Sequence, residues 1–327
     1  MNGTLTIQRL GIGALAGATT ALLCVGFVNQ SLLALLLYMI SPVPLMVAGL
    51  GFGLSSALAG AFAAVAVALA MTNGLTATFV ALAIAAPACA ASYWLNLARP
   101  AEEIGGPRDM LAWFPLADVF FSISLLTGFA YVLIGARIGF GPELTGELAA
   151  EMARVFRETD PQAQLSAEGI ASLQRFIEVV IPVAQPFVWM LTLAASIYLA
   201  LAVARRSGLI RRPKDDWPAG LRMPRVAVLA LLAAILISFA PGALGSAASV
   251  FVGALGAGFV MAGYAMLHER TRGNSARTPL IVFAYLCTLL LSPVLLFFLI
   301  AGLAGAGRQV PLSPATQSSN TNHNPND

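Results

Sequence analysis

Charge is what this sequence has least of. Only 10% of its 327 residues are charged, against about 25% in soluble domains, and between Arg9 and Arg99 there is no charged residue at all. Histidine is nearly missing too. His268 and His323 are the two present, too few and too far apart for a histidine-based metal centre. The three cysteines, Cys24, Cys89 and Cys287, lie far apart inside apolar runs. Without a C-x-x-C pair or a ligand spacing they read as buried, inert thiols. No Walker sequence, GxGxxG, HExxH or pair of intramembrane aspartates occurs, so the chain is not expected to use ATP itself or to hydrolyse a substrate. Asp215 and Asp216 stand in a basic loop without the partner carboxylates that a metal–diphosphate site needs. No enzyme activity, cofactor or metal is expected. A net charge of +3 gives nucleic-acid binding no support.

What is there instead is apolar sequence, 58% of the chain. A membrane span takes about 20 residues. The pattern predicts an all-α, polytopic helical membrane bundle of about nine transmembrane helices, some broken by proline. The expected spans are 10–28, 32–50, 54–71, 75–97, 115–136, 179–204, 226–240, 246–267 and 278–303. The seventh is short for a full crossing. Arg9 ahead of the first run suggests a signal peptide, and Leu22-Leu23-Cys24 a lipoprotein site. The run is as long as a span and Leu23 is too bulky before the cysteine, so an uncleaved first span is expected. Asn29-Gln30-Ser31, residues 51–53 and Thr72-Asn73-Gly74 carry turn chemistry. Residues 304–327, rich in Ser, Asn, Pro and Thr, are expected to form a disordered tail.

The loops carry opposite charge. Residues 137–178 hold four Arg and seven acids, while 205–225 hold seven Lys or Arg and two Asp. The positive-inside rule then places the basic loop and the N-terminus in the cytoplasm, with the insert outside. The same count of spans puts the C-terminus in the periplasm of a bacterial inner membrane. Within the insert, Leu144, Leu148, Met152, Val155 and Phe156 share a helical face opposite Glu143, Glu147, Glu151, Arg154 and Glu158. Asp160-Pro161 ends that helix. A second apolar pattern from Leu165 runs into the sixth span. The pair reads as a surface helix hairpin resting on the bundle or the lipid, or as a lid over an outward cavity.

Residues 41–70 form the most patterned stretch. Pro42 and Pro44 are expected to bend or break one helix, and Gly49, Gly51 and Gly53 to form a hairpin after it. Small residues then repeat every four positions: Gly49, Gly53, Ala57, Ala61, and Ser56, Gly60, Ala64, Ala68. Such stripes let another backbone approach closely. The face over residues 49–68 suits a membrane partner, and packing within the chain accounts for it equally. Pro182, Gln185 and Pro186 place an amide between two expected helix breaks. Gln185 is a ligand contact or an interhelical hydrogen bond. Asp118, a turn inside the fifth span, snorkels, pairs with Arg99 or Arg108, or couples a proton. Glu178 and Arg175 read as interfacial anchors.

Pro42-Val43-Pro44 followed by Gly49-Leu50-Gly51-Phe52-Gly53, together with Ala98-Arg99-Pro100 and Trp113-Phe114-Pro115, resembles the YybS-like family of bacterial predicted membrane proteins, a domain of unknown function. The resemblance covers most of residues 7–303. It implies no activity that transfers residue by residue. It also implies a distant similarity to the substrate-binding membrane subunits of energy-coupling-factor transporters. Those subunits are smaller, usually with six spans, and dock on a shared transmembrane partner through small-residue faces. The function expected is therefore small-molecule binding related to transport, without an ATPase of its own. The alternative is a structural or assembly protein that packs against other membrane proteins. An enclosed, partly polar pocket would separate the first from the second.

Overall fold

The structure, a computed structural model, describes residues 2–26, 31–107, 110–138, 142–159 and 166–307. The chain opens with α1 (Asn2–Val25), α2 (Leu32–Met39), α3 (Pro42–Phe52) and α4 (Leu54–Met71). A fourth span joins α5 (Gly74–Phe79), a π-helical turn (Val80–Ala85) and α6 (Ala86–Asn96). Two short strands, β1 (Ala98–Pro100) and β2 (Leu111–Trp113), lead into α7 (Leu116–Ile138) and α8 (Pro142–Thr159). Next come α9 (Ala167–Arg206), α10 (Trp217–Gly220), α11 (Arg225–Ser238), α12 (Ala243–Arg270), α13 (Arg277–Leu290) and α14 (Val294–Ala304). Among the described residues, seven stretches are long and apolar enough to cross a membrane, α2 and α3 together making one of them, and α11, α13 and α14 are shorter apolar helices. The architecture is an all-α polytopic bundle. The expected turn at Asn29-Gln30, the stop at Asp160-Pro161, Leu165 and the tail beyond Gly307 lie outside the described residues.

Glycine decides how the first helices meet. A Cβ on Gly17 would sit 1.8 Å from the Gly60 carbonyl oxygen, and one on Gly13 would sit 2.0 Å from that of Ser56. The α1 and α4 backbones therefore touch, as small residues at four-residue spacing allow. Ser56, Gly60, Ala64 and Ala68 are buried at this contact. The other stripe is also used internally. A Cβ on Gly49 would meet the Ser92 hydroxyl of α6 at 2.3 Å, Ala57 is fully buried, and the Cys89 thiol points at the Ala57 carbonyl, 3.3 Å away.

The break expected near Pro42 falls at Ile40 and Ser41, just before the prolines. Pro42 and Pro44 lie in the first turn of α3, where the missing N–H donors cost nothing and the fixed φ helps the helix start. The hairpin expected over residues 51–53 is tighter than that. The helix runs through Phe52, and Gly53 alone turns the chain, at φ +88°, a value that glycine adopts without strain. The carbonyls of Gly49 and Leu50 at the end of α3 accept from Asn96 Nδ2 at 3.3 and 3.0 Å. Leu45, Met46 and Leu50 are buried, and α3 packs against α1, α4, α6 and α9.

The later prolines behave differently. Pro87 cannot donate to a carbonyl one turn back, and the helix answers with the π turn at Val80–Ala85. The Ala83 carbonyl receives the Trp189 indole N–H instead, at 2.7 Å. Pro182 and Pro186 were expected to break the sixth span, yet α9 is one continuous helix of 40 residues through both. A Cβ on Gly253 would lie 2.0 Å from the Val183 carbonyl, so α12 seats directly on the backbone between the two prolines and supports it.

The expected ninth span, 278–303, is two helices, α13 and α14, divided at Leu291, Ser292 and Pro293. Close contact of Gly263 with the Phe298 carbonyl, and of Gly302 with that of Phe259, seats α14 on α12. The Gly307 amide then donates to the Met223 carbonyl, 3.0 Å away. Residue 307 ends beside the basic loop of residues 205–225, at the end of the bundle opposite α8, because α13 and α14 turn back as a hairpin.

That basic end is tied by buried arginines. Residues 98–100 and 111–113 form a two-stranded antiparallel ladder with Ala98 opposite Trp113. Arg212 is bidentate to Asp215, at 2.9 and 2.7 Å. It also donates to the Leu95 and Phe114 carbonyls at 3.2 and 3.0 Å, with its guanidinium 5.9 Å from the Trp113 ring centroid. Arg222 pairs with Glu269 of α12, and Arg272 with Asp216. Asp216 also caps α10. The Arg272 guanidinium holds the Asp216 carboxyl below the usual carboxylate range.

Candidate functional site

The end of the bundle beneath α8 contains a hollow of about 110 Å³ between α7, α9 and α12. It follows from the sequence of α9. Glu178, Pro182 and Gln185 are four and three residues apart, so they share one face of the helix, and that face lines the hollow. Tyr131 and Ile134 of α7 form the opposite wall, Ser246 of α12 a third, and Thr145 and Leu148 of α8 the roof. The Ser246 hydroxyl donates to the Gly242 carbonyl at 3.4 Å. Glu178 and Gln185 are exposed to the opening.

A second hollow, of about 390 Å³, lies across α7. Cys24, Tyr38, Thr72, Thr76 and Phe79 line it, and Ile134 and Ile138 border both spaces. An aromatic cluster separates the two. Tyr38 and Trp189 have ring centroids 5.3 Å apart, Phe79 and Trp189 5.9 Å, and Phe79 and Tyr131 6.4 Å. Such tilted and edge-on pairs are favoured ring geometries. The Trp189 bond to Ala83 fixes the middle of this wall, so the Pro87 irregularity helps to position it. A third hollow, of about 310 Å³, sits where α2 stops, between Met39, Ile40 and the Leu191, Thr192 and Ser196 face of α9. It is apolar, and Ser196 closes part of it by donating to the Met39 carbonyl at 3.4 Å.

The sequence candidates fall into two groups. Pro182, Gln185 and Pro186 meet at the hollow under α8. Pro42, Pro44, Gly49, Gly51 and Gly53 do not reach it. They shape α3 and its turn, and Gly51 faces Leu209 of the basic loop. Asp118 is half-buried in the first turn of α7, at the basic end, where a helix N-terminus favours its charge. Among the described residues it makes no ion pair, with Arg99 or otherwise, and Arg108 lies outside them. Sequence reasoning missed Tyr131, Leu148 and Ser246 as wall residues. It took Glu178 for an anchor, although the two-turn spacing from Glu178 to Gln185 was a readable signal. No group of three or more His, Cys, Asp or Glu that could hold a metal occurs among the described residues.

Long apolar helices around a continuous buried core define a multi-pass membrane protein. Residues 18–304 match the family described as predicted membrane protein (DUF2232), and the chain belongs to that family, a domain of unknown function. No curated protein and no solved structure matches it. The family match stands at the level of a membrane protein family, without the YybS-like name or a likeness to energy-coupling-factor subunits.

Proposed function

We propose that this chain is a small-molecule-binding subunit of the bacterial inner membrane, related to transport, with no ATPase or enzyme activity of its own. The observation that carries the reading is the hollow under α8, whose walls bring Pro182, Gln185 and Pro186 together with Tyr131 and Glu178. Pockets of this kind, mostly apolar with a few convergent polar groups, are the usual form of small-molecule sites. Packing supports the same reading. Of the small-residue stripes that suit a partner, Gly49, Ser56, Ala57, Gly60, Ala64 and Ala68 are already buried within the chain, where α1 and α6 approach them. In this reading the basic end, with the N-terminus and residue 307, faces the cytoplasm, and a separate membrane protein supplies any energy. The likeness to energy-coupling-factor subunits belongs to this proposal.

A second reading, a structural or assembly role, draws on α13, none of whose residues is buried. One experiment separates the two. Full-length protein is purified in mild detergent, and bound small molecules and proteins are identified by mass spectrometry, beside a Ser246→Phe variant that fills the hollow. The binding role predicts a molecule retained by the parent and lost from the variant. An identical small-molecule profile in both, with a protein partner retained by both, contradicts it and favours assembly.

A further inference from the structure

The shape of α8 says how a ligand reaches the hollow, and what kind it is. This helix has three faces rather than two. Gly146, Ala149 and Ala153 form a small-residue side that packs on α9: Ala149 and Ala153 are 0% and 2% exposed, and a Cβ on Gly146 would lie 3.4 Å from Gln174 Nε2. Glu147, Glu151, Arg154 and Glu158 form a charged side, joined by ion pairs from Arg154 to Glu151 and Glu158. Leu148, Met152, Val155 and Phe156 form the third, and all four are exposed, at 40–50%. A helix with a packed side, a wet side and an apolar side belongs in the plane of the membrane interface. Leu148 stands on the apolar side and also lines the hollow. On the opposite lip, α9 exposes Phe176, Val179 and Ile181, and Ile181 too lines the hollow. Leu148 and Ile181, each partly exposed, thus link the outer surface of α8 and α9 to the wall of the hollow.

The polar side chains of the lining are Glu178, Gln185, Tyr131, Thr145 and Ser246, and Glu178 gives it a negative charge. Glu178 is the charged residue among the described lining, and its carboxylate makes no ion pair or hydrogen bond with another described residue. Pro182 and Pro186 provide no amide to the carbonyls of Glu178 and Pro182, and Gln185 adds its amide oxygen. We infer that the hollow takes an amphiphile with one alkyl chain and a protonated amine head, entering from the adjacent leaflet between α8 and α9. The head lies against Glu178 and Gln185, and the chain passes out between Leu148 and Ile181. This rests on the binding role proposed above and names its ligand class.

The test uses full-length protein in phosphatidylcholine nanodiscs and three dodecyl probes carrying a diazirine: an amine, an alcohol and a carboxylate. Adducts are mapped by mass spectrometry. The amine is expected to label the α8 and α9 segments holding Leu148 and Ile181. Dodecylamine is expected to compete and ethylamine not to. A charge-assisted hydrogen bond is among the stronger ones, so Glu178→Gln is expected to lower amine labelling about tenfold and alcohol labelling much less, while Glu178→Asp keeps the preference for amine. Glu178 is exposed, so both variants are expected to fold, which gel filtration checks. Equal labelling by amine and alcohol, or a preference for carboxylate, overturns the head group. Competition by ethylamine overturns the lipid-borne class and leaves the binding role standing. No labelling of these segments by any probe overturns the proposal, and if the Ser246→Phe profile also matches the parent, the binding role falls with it.

Discussion

Around α3, prolines and small residues close the structure. Pro42 and Pro44 start a helix, Gly49 lies under Ser92, and Gly13 and Gly17 bring α1 onto the α4 backbone. At the α8 end the same residue types leave a hollow. Pro182 and Pro186 stay inside a continuous helix, Gly253 supports its backbone from one side, and the other side faces Tyr131 and open space. The difference lies in what stands opposite. In the centre, a backbone or a side chain comes close against Gly13, Gly17, Gly49 and Gly60. At the α8 end, α7 offers large side chains at a distance, and the roof is an amphipathic helix. Proline and glycine signals in a membrane sequence thus mark irregular packing, and only the neighbouring helices decide whether that packing is filled or open.

The comparison breaks most readily at the centre. Gly17→Leu places a branched side chain where even a Cβ would lie 1.8 Å from a backbone oxygen. Overpacking of this kind costs about 3 kcal/mol or more, so the variant is expected to lose its single gel-filtration peak or to melt well below the parent. A normal melting temperature would show that α1 and α4 are not held this closely. Trp189→Phe is the next largest. It leaves the Ala83 carbonyl without its indole donor inside the protein, a loss of about 1–3 kcal/mol, and a lowered thermal midpoint is the expected reading. It also loosens the aromatic wall, so ligand retention is expected to fall with stability.

The smallest effect sits at the basic end. The Asp216 carboxyl is held below its ordinary range by Arg272. Its contribution is therefore present above the unfolded carboxylate value, near pH 4, and is lost as pH falls through the lower folded value. The pair is solvent-exposed, so it contributes about 0.2–1 kcal/mol. Asp216→Asn is expected to lower stability slightly at neutral pH and to match the parent in strong acid, which melting curves across pH can follow. A difference that grows on acidification would contradict the assignment.

Much of this was legible in the sequence. The uncharged run from Arg9 to Arg99 marks the first four spans, Gly53 marks a turn, and the α8 face pattern shows in Leu148, Met152 and Phe156. What stayed hidden depends on partners distant in the chain. Trp189 and Ala83 are 106 residues apart, and no local pattern pairs them. Pro182 and Pro186 look like breaks until Gly253 of α12 is placed beneath them. The return of α14 rests on Gly263 and Gly302, ordinary small residues in sequence, so nothing local showed that residue 307 comes back beside Met223. The hollow itself showed in Gln185 between Pro182 and Pro186, and in Glu178 two turns before Gln185. Tyr131 and Ser246 carry no signal that separates a wall residue from a core one.

The central claim, an open site under α8 beside a closed centre, is tested most directly by thiol labelling. With Cys24, Cys89 and Cys287 replaced by alanine, single variants Gln185→Cys and Ser56→Cys are treated with a maleimide in nanodiscs, and modification is followed by mass. Gln185 is exposed to the hollow and Ser56 is fully buried. Rapid modification of Gln185→Cys, with Ser56→Cys untouched until the protein is denatured, is the predicted result. Equal rates at the two positions would contradict it.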